Sequence, residues 1–139
     1  MGSIATYPET LSLMYGHEQR HGVALLPMRA EALKGHLDGL LLAALEDGPR
    51  HGYAVIEALR DTTGGSLDLP TGTVYPALRR LEQAGLIRGT WSAAAGRRRR
   101  DYELTPAGRR QLDTERVTWR HFVTTISAAL ERPACPATT

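Results

Sequence analysis

Apolar residues recur at helical spacing in four stretches of this chain, and between the third and the fourth the period shortens to an alternation. From Arg29 to Glu46, the residues Leu33, Leu37, Leu40, Leu41, Ala44 and Leu45 form a broad stripe, which predicts one helix. Asp47-Gly48-Pro49 ends it, glycine as the cap and proline as the block. A second helix is predicted from His51 to Arg60 with Val55, Ile56 and Leu59 inward, and a turn at 62–70 contains Gly64-Gly65. In the third stretch, 71–85, Thr71 reads as the cap and Val74, Ala77, Leu78, Leu81 and Ala84 share one arc. Leu86 to Trp91 and Asp101 to Leu104 read as two short strands. Thr105-Pro106 then opens a last helix that runs to about Leu130, with proline where its missing N–H is harmless.

The third helix has an unusual outer face. Gly72, Tyr75, Pro76, Arg79 and Gln83 lie opposite the apolar arc, with Thr73 and Arg80 at its margins. Hydroxyls, an amide and guanidinium groups suit hydrogen bonding to phosphates and base edges, and Gly72 has no Cβ to hold a backbone away. Two short helices and a turn lead into it, the order of a helix-turn-helix. Between the two strands lies Ser92-Ala93-Ala94-Ala95-Gly96 followed by Arg97, Arg98, Arg99 and Arg100. Four like charges on one hairpin repel each other, so the run points to an anionic partner rather than to a solvated surface. The fold class expected is mainly α with a small β-hairpin: a winged helix-turn-helix at 28–104 and a long helix at 105–130, flanked by an extension at 1–27 and a tail at 131–139.

Charge sharpens that picture. The net charge of the 139 residues is only +2, yet from Arg79 to Arg110 nine arginines face three acids, Glu82, Asp101 and Glu103. From Met28 to Pro70 the balance reverses, four basic side chains against seven acidic ones. A polyanion such as double-stranded DNA is therefore drawn to one part of the molecule. No apolar run reaches membrane length, and the single cysteine, Cys135, offers neither a disulfide nor a metal cluster, which suits a cytoplasmic protein. No cofactor is expected, and no phosphate loop, nucleophile elbow or cysteine nucleophile supports an enzyme. The exception to weigh is His17-Glu18-Gln19-Arg20-His21, formally the zinc-hydrolase pattern H-E-x-x-H. Gly16 and Gly22 bracket it and no third-ligand continuation follows, so an accidental match is expected. His36 and His51 are expected to be partly buried or capping residues, not ligands.

On the last helix, Leu112, Trp119, Phe122, Val123, Ile126 and Leu130 fall on one stripe. A helix that follows a wing has little of its own domain left to cover, so the stripe suggests a second copy of the chain. Trp119 with Phe122 sits at the centre of it, where a two-fold axis would pair the rings. Either these rings anchor the interface or they hold a planar aromatic effector between subunits.

Taken together, 32–45 (A-L-K-G-H-L-D-G-L-L-L-A-A-L), 51–59 (H-G-Y-A-V-I-E-A-L), 72–87 (G-T-V-Y-P-A-L-R-R-L-E-Q-A-G-L-I) and 96–108 (G-R-R-R-R-D-Y-E-L-T-P-A-G) resemble the PadR family of bacterial transcriptional regulators, in particular its short subfamily with one C-terminal helix. The resemblance spans about residues 29 to 130. It implies a homodimer built on the first and last helices, with Leu33, Leu37 and Leu41 joining the C-terminal stripe. It also implies repression at a palindromic operator, relieved in some members by a small molecule, and in multidrug-sensing members a similarly placed tryptophan lies between the subunits. Thr73, Tyr75 and Arg79 would be the recognition contacts, Gly72 and Pro76 would shape the approach, and the wing arginines would lie on phosphates. Pro70-Thr71 departs from the Ser-Pro of many members, and the 1–27 extension is outside the pattern. A winged helix used as a protein-interaction module is the remaining alternative, and the arginine wing weighs against it.

Overall fold

The computed structural model describes residue 28, residues 30–94 and residues 96–131. The H-E-x-x-H stretch and Cys135 lie outside them. A 3-10 turn at Ala30–Leu33 leads to α1 (Leu37–Ala44), β1 (Arg50–His51), α2 (Gly52–Thr62), α3 (Thr71–Gln83), β2 (Ile87–Ala94), β3 (Arg97–Leu104) and α4 (Pro106–Leu130). The sheet is antiparallel in the order β1-β3-β2. Among the described residues no helix is long and apolar enough to cross a membrane.

Leu41, Leu42 and Leu45 meet Val55, Ile56 and Leu59 of α2 and Val74, Ala77, Leu78 and Leu81 of α3 in one core, closed by Ile87, Tyr102 and Leu104 of the sheet and Leu112 of α4. The periodic stripes thus face one another. After α3, Gly85 at φ +75° carries the chain out of the helix. Leu86 N–H donates to Leu81 O and Gly85 N–H to Glu82 O, the paired bonds of a glycine-terminated helix. Thr105 is the cap of α4 as its sequence predicts, its hydroxyl oxygen accepting from Gly108 N–H at 3.0 Å while donating to Gly85 O at 2.6 Å.

Several expectations are corrected. The single helix over 29–46 is broken, because Gly35 takes φ +85° and separates the 3-10 turn from α1. Pro70, not Thr71, is the N-cap of α3: its carbonyl already accepts from Thr73 and Val74 N–H, so the helix begins one residue earlier than a threonine cap allows. Ala84, placed on the inner arc, is exposed, since the helix has ended. The wing strands extend through the supposed loop, so the four arginines stand within β3. Finally, Leu33, Leu41 and Leu112 are buried in the core of their own chain at 7%, 0% and 3% exposure, which leaves these side chains little surface for a contact between copies. Leu37 is partly buried against the same core.

α1 and the turn that follows it are bound to both long helices. Asp38 pairs with Arg80 of α3, and Glu46 accepts two hydrogen bonds from Arg116 of α4 at 2.7 and 2.8 Å. Hydrogen bonding to Arg116 holds the Glu46 carboxyl below its ordinary value. These pairs are well exposed, so they orient the helices more than they stabilise the fold.

Candidate nucleic-acid interface

The outer face of α3 is as the amphipathic pattern requires. Gly72, Tyr75, Pro76, Arg79, Arg80 and Gln83 are exposed and Thr73 is half-buried, while Val74, Ala77, Leu78 and Leu81 turn inward. Beside this face the wing rises, and between the two lies an open depression of about 630 Å³, bordered by His51, Tyr53, Tyr75, Arg79, Trp91 and Arg98, with Arg99 and Arg100 on the wing side. It gathers Tyr75, Arg79 and the last three wing arginines. Gly72, Thr73, Pro76, Arg80, Gln83 and Arg97 do not line it.

Each wall has a local cause. His51 caps α2, its Nδ1 accepting from Ala54 N–H at 2.8 Å, as a capping histidine should. Gly52 follows because the Tyr75 ring packs there: a Cβ on Gly52 would stand 2.5 Å from Tyr75 Cε1. Tyr102 forms the floor, and burial, reinforced by Glu82, pushes its phenol above the ordinary value and keeps it protonated.

The β period of two divides the wing charges between faces. Arg97, Arg99, Asp101 and Glu103 share the outer face, where Arg88 bonds Glu103 at 2.8 Å, Arg99 lies 3.3 Å from Asp101, and Ser92 donates to Asp101 at 2.8 Å. Arg98 and Arg100 share the inner face with Tyr102. Arg100 pairs with Glu82, and the guanidinium carbons of Arg98 and Arg100 lie 4.8 and 5.3 Å from the centre of the Trp91 ring. The expectation of four free cations is therefore reduced: Arg97 and Arg98 are the wing arginines without a carboxylate partner among the described residues. Arg80 is likewise engaged, by Asp38.

Trp91, Glu82, Tyr53 and Tyr102 have no role assigned from the sequence alone. The signal for Trp91 was its position opposite Arg100 once the hairpin register is drawn. Among the described residues no group of three or more His, Cys, Asp or Glu side chains could hold a metal ion.

Beyond the core, α4 carries its stripe into solvent. Trp119 and Phe122 are each 45% exposed, Ile126 40% and Leu130 77%, with Val123 intermediate. The Trp119 and Phe122 rings stack at 5.5 Å, and His36 meets the Trp119 edge at 5.2 Å. His36 is half-buried there, as expected.

Comparison with known proteins agrees with this geometry. Residues 41–114 match the model of the transcriptional regulator PadR-like family. A PadR family transcriptional regulator from Eggerthella lenta is 28% identical and superposes with a TM-score of 0.65 over 86% of this chain and 98% of its own. A PadR-like transcriptional regulator from Bacillus cereus is 30% identical, with a TM-score of 0.63 over 73% of this chain and 97% of its own. An uncharacterized 37.1 kDa protein in transposon TN4556 of Streptomyces fradiae is 38% identical over 97 residues, 70% of this chain, which spans only 26% of that relative's length. With its helix-turn-helix, its arginine wing and these matches, the chain belongs to the PadR-like family of DNA-binding transcriptional regulators, not to an enzyme family.

Proposed function

We propose that the protein is a homodimeric repressor that reads a two-fold symmetric operator with its two α3 helices and is released by a planar aromatic compound. The observation that carries the reading is the depression between α3 and the wing, where Tyr75 and Arg79 face Arg98 across an open, cationic cleft. A duplex edge brings phosphates and base edges together in that way. The exposed stripe from Trp119 to Leu130 supports a second copy, which supplies the two-fold symmetry.

A duplex recovered from a random-sequence pool by selection with the wild-type protein provides the test. Arg79→Ala or Tyr75→Ala should reduce discrimination between that duplex and random DNA by about 1–3 kcal/mol, the worth of a good base contact. Equal losses on both duplexes, measured by fluorescence anisotropy, would make either residue a phosphate anchor and sink the recognition role.

The stacked pair Trp119 and Phe122, edged by His36, supports the effector. Under this reading Trp119→Ala keeps a dimer that binds operator but no longer releases it when planar cations or phenolic acids are added. A weakened dimer with poor DNA binding in the absence of any compound would instead make Trp119 a packing anchor. Intrinsic fluorescence of Trp91→Phe, which isolates Trp119, reads the binding directly.

A further inference from the structure

Glu82 is placed where a DNA-binding protein is not expected to keep a carboxylate. It stands in the last turn of α3, beside the cationic cleft, and borders the depression. Its neighbours explain it. Oε2 accepts from Gly89 N–H at 3.3 Å, at the start of the wing, and from the Arg100 guanidinium, at the far end of the opposite strand's arginine run. This is the most sheltered ion pair among the described residues taken over both partners, 30% and 27% exposed at the side chains.

The path from Arg100 to Glu82 crosses Gly89. A Cβ there would lie 2.5 Å from Arg100 Nε, so any other residue at 89 would obstruct the bridge. On its other side Arg100 packs against Trp91, its direct cross-strand partner, and the same indole carries Arg98 two residues along β3. A guanidinium held by a carboxylate is already neutralised, so its contact with a phosphate would release little additional counterion. Arg98, stacked on a ring but facing no acid, keeps its charge available.

We propose that Glu82, Trp91 and Arg100 form a tether that fixes the wing against the recognition helix, so that Arg97 and Arg98 are the wing's phosphate ligands and Arg100 is a positioning residue. The proposal rests on the DNA-binding reading of the same cleft. It gives Glu82 a purpose opposite in sign to its charge: the carboxylate repels DNA through space but aligns the two elements that grip it.

Glu82→Gln separates these effects. Removing a negative charge and freeing Arg100 should tighten binding to a random-sequence duplex, whereas loosening the wing should weaken binding to the selected duplex by roughly tenfold. Arg100→Gln should weaken the selected duplex by a similar factor, and the double variant should be no worse than either single one, because both remove one tether. On the random duplex, Arg98→Gln should lower the slope of log affinity against log salt by about 0.9 for each bound subunit, and Arg100→Gln should leave it unchanged. Thermal melting establishes that each variant is folded, and Gly89→Ala tests the bridge without touching either charge. Equal slope losses for Arg98→Gln and Arg100→Gln, or additive losses for the Glu82 and Arg100 variants, would overturn the tether while leaving DNA binding intact. A wild-type protein with no salt-dependent affinity for either duplex would instead remove the underlying reading.

Discussion

Gly108→Ala is expected to lower the stability of the winged domain by roughly 3–5 kcal/mol, a change in one methyl group with the effect of a large core mutation. The added Cβ would sit 1.9 Å from the carbonyl oxygen of Leu86 and 3.3 Å from Leu104 Cδ2. Neither partner can yield cheaply. Leu86 O accepts from Thr105 N–H at 3.1 Å, and Leu86 N–H is itself bonded to the end of α3, so the backbone that would have to move holds the recognition helix, the wing and α4 together. Relief requires withdrawing the first turn of α4, which breaks the Thr105 cap and exposes Leu112. A melting temperature lower by roughly 15–30 °C is expected for a domain of this size. Gly72→Ala is the matched control, because nothing lies within 4 Å of a Cβ there, and a helical alanine is favoured over glycine by up to about 1 kcal/mol. A Gly108→Ala protein that melts with the wild type would show that this junction has room the packing denies it.

The second large effect concerns assembly. Phe122→Glu with Ile126→Glu should give a folded monomer whose affinity for a two-fold symmetric duplex falls by roughly a hundredfold or more, since two linked half-sites lose their shared occupancy. Both residues lie on the uncovered stripe, and no core side chain depends on them: Leu112 is the last buried apolar residue of α4. In a symmetric pair each new carboxylate would be stripped of water and placed near its own copy. Val117→Glu provides the control. Val117 is 62% exposed but lies on the opposite side of the helix from Trp119, so the same apolar-to-acid change there should leave the dimer intact. Sedimentation equilibrium checks both, and a double variant that remains dimeric would place the contact between copies elsewhere.

The last three helical stripes and the Thr105 cap were legible because they depend on short-range periodicity and local hydrogen bonding, which the residues from Val74 to Leu81 and the pair Thr105-Pro106 state directly. What escaped was decided by partners distant in sequence. Strand β1 is two residues long, too short for any period, and exists only because Arg50 and His51 find Tyr102 and Asp101. Leu41 and Leu37 share one stripe, but only the assembled core tells which faces inward completely. The arginine run read as a block of charge for the same reason: its split between faces follows from the strand that contains it, and the engagement of Arg100 from a glutamate 18 residues earlier.

Helix α1 spans only eight residues, yet it grips α3 through Asp38, Glu46 in the turn just after it grips α4, and His36 meets Trp119 just before its first turn. Under the proposed function, a compound seated on Trp119 and a duplex seated on α3 would both act through this one short segment. Thermodynamic linkage makes such an arrangement two-way: whatever factor the compound takes from DNA affinity, bound DNA takes from the affinity for the compound. Occupied operators would then raise the concentration at which such a signal is heard, and protein free of DNA would be the more sensitive listener.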